Sequence, residues 1–333
     1  MTQDFTICVG TVGAGLWYSS DSGERWKRSK MELPFFNRAM DIQVRALAVS
    51  PLNPHTIFAG SEVGLYRSDD NGINFTLLES PMRGMQIWSV AVDPADSDVI
   101  LVGTKPPAVF RSTDGGKRWE KLPIKISEEC PIGPPRVTNL VIDPRDHRNV
   151  WAGVELGGVF RSRDGGDNWT HLPQLGPRDS STDVHGVAVS AGLTLKIHVT
   201  TPDGIFTSAD DGATWTLHAF PKFAERDHVS YCRGVAVKAD DPDVVFVANG
   251  NDVPGDRGVV QRSKDGGQTW SATRMDVQPN STMYWFATNR ADPNLILANS
   301  IYGYIYLSRD GGDSWTKLRR ELNEIRGLAW LPN

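Results

Sequence analysis

The chain has 333 residues and a net charge of −5, and 39% of its residues are hydrophobic, with 11 tryptophans among them. This composition supports a sizeable buried core and excludes a largely disordered chain. The negative net charge argues against DNA or RNA as a partner, because nucleic-acid binding relies on a basic surface.

Neither the first residues nor the cysteines indicate export. Residues 1–11 lack the basic and apolar regions of a secretory signal, and no run of the sequence reaches the roughly 18 apolar residues of a membrane span. Cys8, Cys130 and Cys232 form an odd, widely spaced set, which favours reduced thiols over a disulfide framework. We expect a cytoplasmic protein that makes no membrane contact and is a monomer or a weak dimer.

Short β-strand patterns follow one another along the whole chain. It opens with FTICVGT and GLWYSS, followed by a hairpin that ends at Trp26. Turn residues then separate four predicted strands, Val44–Val49, Thr56–Gly60, Gly64–Ser68 and Asn74–Leu78. A unit of four short strands has the size of one propeller blade.

The third and fourth strands of each unit are joined by a repeated motif, S-x-D-x-G-x-x-W or a close variant. Successive copies lie 44 to 55 residues apart. The Ser and Asp side chains can hydrogen-bond the turn backbone, Gly supplies a positive φ, and the aromatic residue anchors the hairpin. The seven copies are Ser19/Asp21/Gly23/Trp26, Ser68/Asp70/Gly72/Phe75, Ser112/Asp114/Gly116/Trp119, Ser162/Asp164/Gly166/Trp169, Ser208/Asp210/Gly212/Trp215, Ser263/Asp265/Gly267/Trp270 and Ser308/Asp310/Gly312/Trp315.

The two ends of the chain complement each other. The N-terminal unit lacks its first strand, and residues 325–331, IRGLAWL, have the pattern of a first strand. We therefore predict an all-β protein with one domain over residues 1–333. This domain is a seven-bladed β-propeller of four-stranded antiparallel blades, and its C-terminal strand joins the N-terminal blade to close the ring.

The repeated motif resembles the Asp-box, or BNR repeat. Similar motifs occur in sialidases, in the paired propellers of xyloglucanases, in sortilin-type receptor domains and in the photosystem II stability/assembly factor. The resemblance covers the whole chain and implies the propeller fold. It implies no single activity, because these families share a scaffold and differ in chemistry.

One position near the start of each first strand departs from the apolar alternation of the repeats. Arginines bind carboxylates in a bidentate manner and aromatic rings form pocket walls, so this position predicts an anion-binding pocket at the channel mouth. We expect its ligand to be a small carboxylate-bearing molecule. The residues are Arg45, Trp88, Thr138, His185, Arg233, Tyr284 and Arg326.

Loops and connections expected on the same face add Lys105 and Arg136 to the substrate-binding candidates, and Glu62, Glu155 and Tyr231 to the catalytic ones. An imidazole titrates near neutrality, so His185 is the predicted general acid/base of a hydrolase or lyase. The arginines would stabilise a developing negative charge. Glu62 and Glu155 could instead form the carboxylate pair of a glycoside hydrolase.

Two other interpretations stay open. The arginines and glutamates could pair with each other and simply plug the channel. The chain could also be a non-enzymatic protein-binding or assembly-factor propeller, with partner contacts at Phe35, Phe36, Phe220 and Phe223.

No cofactor is predicted, and support for a divalent metal is thin. No histidines are spaced as metal ligands usually are, and His185 and His228 are the weak candidates.

Overall fold

The computed structural model describes residues 4–32 and 42–333, which form thirty β-strands and one short 3-10 helix, Asp179–Thr182. Phe35 and Phe36 lie outside the described residues. In chain order the strands are β1 (Phe5–Thr11), β2 (Leu16–Ser19), β3 (Lys27–Arg28), β4 (Lys30–Met31), β5 (Val44–Val49), β6 (Ile57–Ser61), β7 (Leu65–Ser68), β8 (Asn74–Leu77), β9 (Gln86–Val92), β10 (Val99–Lys105), β11 (Val109–Thr113), β12 (Glu120–Lys121), β13 (Val137–Ile142), β14 (Val150–Val154), β15 (Gly158–Ser162), β16 (Thr170–His171), β17 (Gly186–Ala191), β18 (Leu195–Thr201), β19 (Gly204–Ser208), β20 (Thr216–His218), β21 (Tyr231–Lys238), β22 (Asp241–Gly250), β23 (Gly258–Ser263), β24 (Ser271–Ala272), β25 (Arg274–Met275), β26 (Met283–Ala287), β27 (Ile296–Ser300), β28 (Ile305–Ser308), β29 (Ser314–Lys317) and β30 (Ile325–Pro332).

These strands build the seven sheets of a seven-bladed β-propeller, as predicted. The sheets are numbered as blades in chain order, and the four strands expected at residues 44–78 agree with β5 to β8 to within one residue at each end. The N-terminal sheet has the order β3-β2-β1-β30, so the C-terminal strand supplies its missing first strand. β30 runs antiparallel to β1, with Trp330 opposite Ile7. The predicted closure of the ring is therefore confirmed.

Blades 2 and 7 depart from the predicted four strands, because each has a fifth, outermost strand. β4 pairs parallel to β8 in blade 2, and β25 pairs parallel to β29 in blade 7. Each added strand is two residues long and comes from the connection that follows the preceding blade. A segment this short carries no periodic pattern, so neither added strand was predictable from the sequence.

The repeated motif forms the predicted hairpin in every blade. Each Ser Oγ donates to the Asp Oδ1 at 2.7–3.0 Å and accepts a hydrogen bond from the Gly N–H at 2.8–3.0 Å. The glycine has a positive φ in all seven copies. Hydrogen bonds to the carboxylate, first from the Thr269 side chain and then from its backbone, lower the pKa of Asp265 to about 2. The motif aspartates therefore have a structural role.

The chain divides into two compact units. The first unit contains Met1–Ala152, Arg161–Thr170 and Leu322–Asn333, and the second contains Gly153–Phe160 and His171–Glu321. Blades 1 to 3 lie in the first unit, blades 5 to 7 lie in the second, and blade 4 has residues in both. A single domain over residues 1–333 stays a prediction.

Each unit has its own hydrophobic core. In the first unit one cluster includes Leu16, Ile57 and Phe75. In the second, Phe246 and Trp315 pack edge to face, with ring centroids 6.2 Å apart. Phe220 belongs to a second cluster of that unit and is only 6% exposed, so the structure contradicts its expected role as an exposed partner contact.

Two of the three cysteines are buried, and Cys130 is partly exposed. Burial raises the pKa of the Cys8 and Cys232 thiols, and these side chains behave as small hydrophobic residues. Among residues 4–32 and 42–333, no helix is both long enough and apolar enough to cross a membrane.

Candidate functional site

The first-strand position singled out in the sequence is a β-bulge in at least five blades. The pairing between the first and second strands skips Arg45, Trp88, Arg233, Tyr284 and Arg326. A bulge inserts an extra residue into one strand and redirects its side chain. This explains why polar and aromatic residues occur where the strand alternation calls for small or apolar ones.

In the first unit, an indole lies between two guanidinium groups. Arg45 Cζ is 4.6 Å from the centroid of the Trp88 ring, and Arg136 Cζ is 4.1 Å from it. Both distances are within the range of cation–π attraction. The Trp88 Nε1–H donates to the Gln86 side chain at 3.2 Å, which fixes the orientation of the ring.

Arg45 is close to further charged groups of the same unit. Burial lowers its pKa, the positive charges of Arg326 and Arg136 act in the same direction, and Glu62 opposes them. The Arg45 Nη2 donates to the Gln43 side chain, whereas its Nε is buried and has no hydrogen-bond partner among the described residues. The positive charge of Arg45 is therefore repelled by the positive charges of Arg326 and Arg136.

Two carboxylates limit this positive charge. Arg326 forms an ion pair with Glu324, and Glu62 accepts the backbone N–H of Gln43 at 2.8 and 3.0 Å through its two oxygens. Lys105 is partly exposed at the end of β10, where it lies opposite Gln86. The structure thus brings Arg45, Trp88, Arg136 and Arg326 into one group, which we call the arginine cluster.

In the second unit, His185 is enclosed by hydrogen-bond partners and is 1% exposed. Its Nδ1 donates to the Cys232 carbonyl oxygen at 2.7 Å. Its Nε2 lies 3.1 Å from Asp183 Oδ2 and 3.2 Å from the Tyr231 hydroxyl. Burial lowers the pKa of His185, with a further contribution from the charge of Arg233, so the imidazole is neutral at neutral pH. A hydroxyl proton from Tyr231 can then point at Nε2.

Arg233 is also buried, at 5% exposure, and lies over two aromatic rings. Its Cζ is 4.8 Å from the ring centroid of Tyr284 and 5.5 Å from that of Trp285. Although burial acts to lower it, the pKa of Arg233 is raised by its interactions with Tyr284, Tyr231 and Glu155. Glu155 is 4% exposed and provides a carboxylate for this buried charge. We use the name histidine cluster for the group made up of His185, Glu155, Tyr231, Arg233, Tyr284 and Trp285.

The remaining candidates fall outside both clusters. Thr138 is buried on β13, and His228 is exposed. Among residues 4–32 and 42–333, no three His, Cys, Asp or Glu side chains come together in a way that could hold a metal ion. Glu62 lies in the first unit and Glu155 in the second.

Residues missed in the sequence mostly lie two positions before a candidate. Asp183 contacts His185, Glu324 pairs with Arg326, and Gln86 bonds to Trp88. Gln86 and Trp88 both lie on β9, and alternate residues of a strand share a face, so their spacing was a signal that could have identified Gln86. Asp183 and Glu324 precede β17 and β30 and carried no such signal. Trp285, directly after Tyr284, carried no comparable signal.

The fold and these clusters define a seven-bladed β-propeller with polar side chains at the bulges of its first strands. A family model described as Sortilin-Vps10 (sortilin, neurotensin receptor 3) matches residues 203–330. The chain is 27% identical, over 286 residues, to a probable oligoxyloglucan-reducing end-specific xyloglucanase of Neosartorya fischeri. That match covers 83% of this chain and 33% of the relative.

Two solved structures have a similar fold. The GH74 xyloglucanase of Xanthomonas campestris matches with a TM-score of 0.72 and 19% identity, over 96% of this chain and 53% of that one. YCF48 of Cyanidioschyzon merolae matches with a TM-score of 0.58 and 17% identity, over 86% of each chain. The chain thus spans about a third of the curated relative and about half of the xyloglucanase structure. Propellers related to it in fold include both a hydrolase and YCF48.

Proposed function

We propose that this propeller binds a small carboxylate-bearing anion at the arginine cluster. The observation that carries the proposal is the crowding of like charges, in which Arg326 and Arg136 both act to lower the pKa of Arg45. A bound carboxylate would relieve this repulsion, and its two oxygens suit the planar guanidinium groups. The Trp88 ring, held by Gln86, would form one wall of the site.

Nearby carboxylates neutralise only part of the positive charge of the arginine cluster, so the cluster can still attract an anionic ligand. Glu324 pairs with Arg326, and Glu62 is held by the backbone of Gln43. The buried Nε of Arg45 has no hydrogen-bond partner among the described residues, so the hydrogen bonding of this guanidinium is incomplete. These features support ligand binding over a fully paired channel plug.

The test is calorimetric titration of a panel of small mono- and dicarboxylates into the wild-type chain and Arg45→Gln. Loss of one charge-assisted hydrogen bond should weaken binding about 10- to 100-fold. The melting temperature should not fall, because the substitution removes repulsion. Arg148→Gln is the control, since Arg148 is an exposed arginine paired with Asp146. Equal weakening by both variants, or no binding by the wild type, would refute the proposal.

Arg45 is a better choice for this test than Arg233. Arg233 was the other attractive position in the sequence, but its buried guanidinium lies over Tyr284 and Trp285. Truncating it would disturb the packing of the second unit, so a loss of binding could reflect a loss of folding.

A second candidate function is hydrolase or lyase chemistry at the histidine cluster, supported by the 27% identity to a probable xyloglucanase. Tyr231 would be the group that meets a substrate, because it is partly exposed and its hydroxyl lies 3.2 Å from His185 Nε2. The neutral imidazole could take up the hydroxyl proton while the Tyr231 oxygen forms a bond to a substrate carbon and the bond between that carbon and its leaving group breaks. Burial raises the pKa of Tyr231, so its hydroxyl keeps its proton at neutral pH.

Release of sugar from xyloglucan oligosaccharides is the direct assay for this second candidate. Tyr231→Phe keeps the ring that packs against His185 in a tilted arrangement, with centroids 4.7 Å apart, and removes only the hydroxyl. A loss of at least about 100-fold in kcat is expected if the hydroxyl takes part in proton transfer. Undiminished activity in Tyr231→Phe, or no activity in the wild type, would count against it.

A further inference from the structure

The blades can be compared at the position three residues after the motif aromatic. Its backbone N–H donates to a carbonyl oxygen at the start of the third strand, as for Leu122 with Val109 and Leu172 with Val159. His218 occupies the same place in blade 5, where it lies opposite Ile205. The position is leucine in four blades, at Leu78, Leu122, Leu172 and Leu318.

Three of these leucines cover the motif glycine of the next blade. A Cβ on Gly166 would lie 2.5 Å from Leu122 Cδ1, and one on Gly212 would lie 2.6 Å from Leu172 Cδ1. Gly116 is covered by Leu78 in the same way. The leucine therefore fills the space between one blade and the next motif.

In blade 5 this position is His218, and in blades 1 and 6 it is Ser29 and Thr273. The ring of His218 packs edge to face against Phe220, with centroids 4.8 Å apart, and its centroid lies 6.0 Å from that of the Trp270 ring. The glycine of the next motif, Gly267, is approached instead by His198 Cε1 and Thr207 Oγ1, each 3.3 Å from the place of a Cβ. A cleft of about 500 Å³ opens there, within the size range of small-molecule sites.

The lining of this cleft is polar but its charges are compensated. Lys196 donates to the Gly266 carbonyl oxygen at 3.3 Å and lies 3.7 Å from Asp243. The two carboxylate oxygens of Asp210 accept hydrogen bonds from Ser208 and Thr214. A charged ligand would meet no unpaired opposite charge here.

The groups that remain for a ligand are hydroxyl, amide and imidazole groups beside a small apolar surface. Thr216, Gln268 and His218 supply the polar groups, and Ala209 and Leu217 supply the apolar surface, with Leu217 42% exposed. Polar groups interleaved with C–H surface match a molecule that has hydroxyls on its edges and C–H groups on its faces. We propose that this cleft between blades 5 and 6 is a binding site for a neutral polyhydroxylated molecule of one or two sugar rings.

The test uses D-glucose, D-galactose, D-xylose and cellobiose as probes, with ¹H–¹⁵N correlation spectra of the full chain. The indole N–H of Trp270 is a local reporter, because it donates to the Gly267 carbonyl oxygen at 3.1 Å beside the cleft. At least one probe should shift this resonance with a dissociation constant in the millimolar range, ~1–20 mM. His218→Leu, which introduces the leucine found in four of the other blades, should weaken that binding at least about tenfold.

His55→Leu is the matched control, because His55 is exposed in a turn of blade 2 and should leave the titration unchanged. Gln268→Ala is a second test, because it removes an exposed polar group of the lining and should also weaken binding of the probe. The proposal fails if no probe shifts the Trp270 resonance at about 50 mM. It also fails if His218→Leu binds as tightly as the wild type, or if acetate or phosphate produces the same shifts as the sugars. The Arg45→Gln variant should bind the sugars normally, which separates this site from the arginine cluster.

Discussion

Removal of residues 325–333 should abolish cooperative folding. β30 supplies the first strand of blade 1 and pairs with β1 from Ile325 to Pro332. Ile325, Leu328, Trp330 and Leu331 are each no more than 7% exposed. At about 1.5–3 kcal/mol for each large buried side chain, these four contribute roughly 6–12 kcal/mol. This is comparable to the whole unfolding free energy of a typical domain, about 5–15 kcal/mol.

Circular dichroism melts of residues 1–324 and of the full chain measure this effect. Leu331→Ala is the graded comparison, and it should lower the unfolding free energy by about 2–5 kcal/mol without abolishing the transition. A synthetic peptide of residues 325–333, added in excess, should restore cooperative melting by completing the sheet. If the truncated chain melts cooperatively within about 4 °C of the full chain, the reasoning about ring closure is wrong.

Two further predictions follow from hydrogen bonding and titration. Ser162→Ala should lower the unfolding free energy by about 2–4 kcal/mol in urea titrations, because the buried N–H of Gly166 loses its acceptor and Asp164 loses a donor. An equal loss in the exposed-site control Ser127→Ala would contradict this. Burial, assisted by Lys196, lowers the pKa of His198 to about 3, whereas an unfolded histidine titrates near 6.5. Protons therefore favour the unfolded state, so stability should fall as pH decreases from about 6.5, and His198→Asn should reduce that slope in pH-dependent urea titrations.

The fold was predictable because its strongest signal is local. In each motif the Ser, Asp and Gly that bond to one another are within four residues along the chain. Such contacts leave the same residues at the same spacing in every copy, whatever the neighbouring blade contributes. Lys30 and Arg274 were not predicted to begin strands, because β4 and β25 form only by pairing with β8 and β29, about 40 residues further on.

The sequence predicted several residues of the candidate site. It did not predict how buried they are or which groups they contact. Arg45 and Trp88 stood out because they break the pattern of the repeats, and the bulges explain the break. That His185 donates to the carbonyl oxygen of Cys232, a residue 47 positions away, could not be read from either segment. The sequence therefore suggested an acid/base residue, and only the structure shows that its imidazole is enclosed.

Sequence alone thus determined the number of blades, the closure of the ring and the structural role of the motif aspartates, since all three depend on local patterns repeated along the chain. Tertiary structure alone decided which polar residues share a cluster. Burial and neighbouring charge come from strands that are distant in sequence, and only folding sets how Arg326 acts on Arg45. The cleft beside His218 likewise depends on the tertiary structure, because its lining comes from residues 196–218 of blade 5 and residues 266–268 of blade 6.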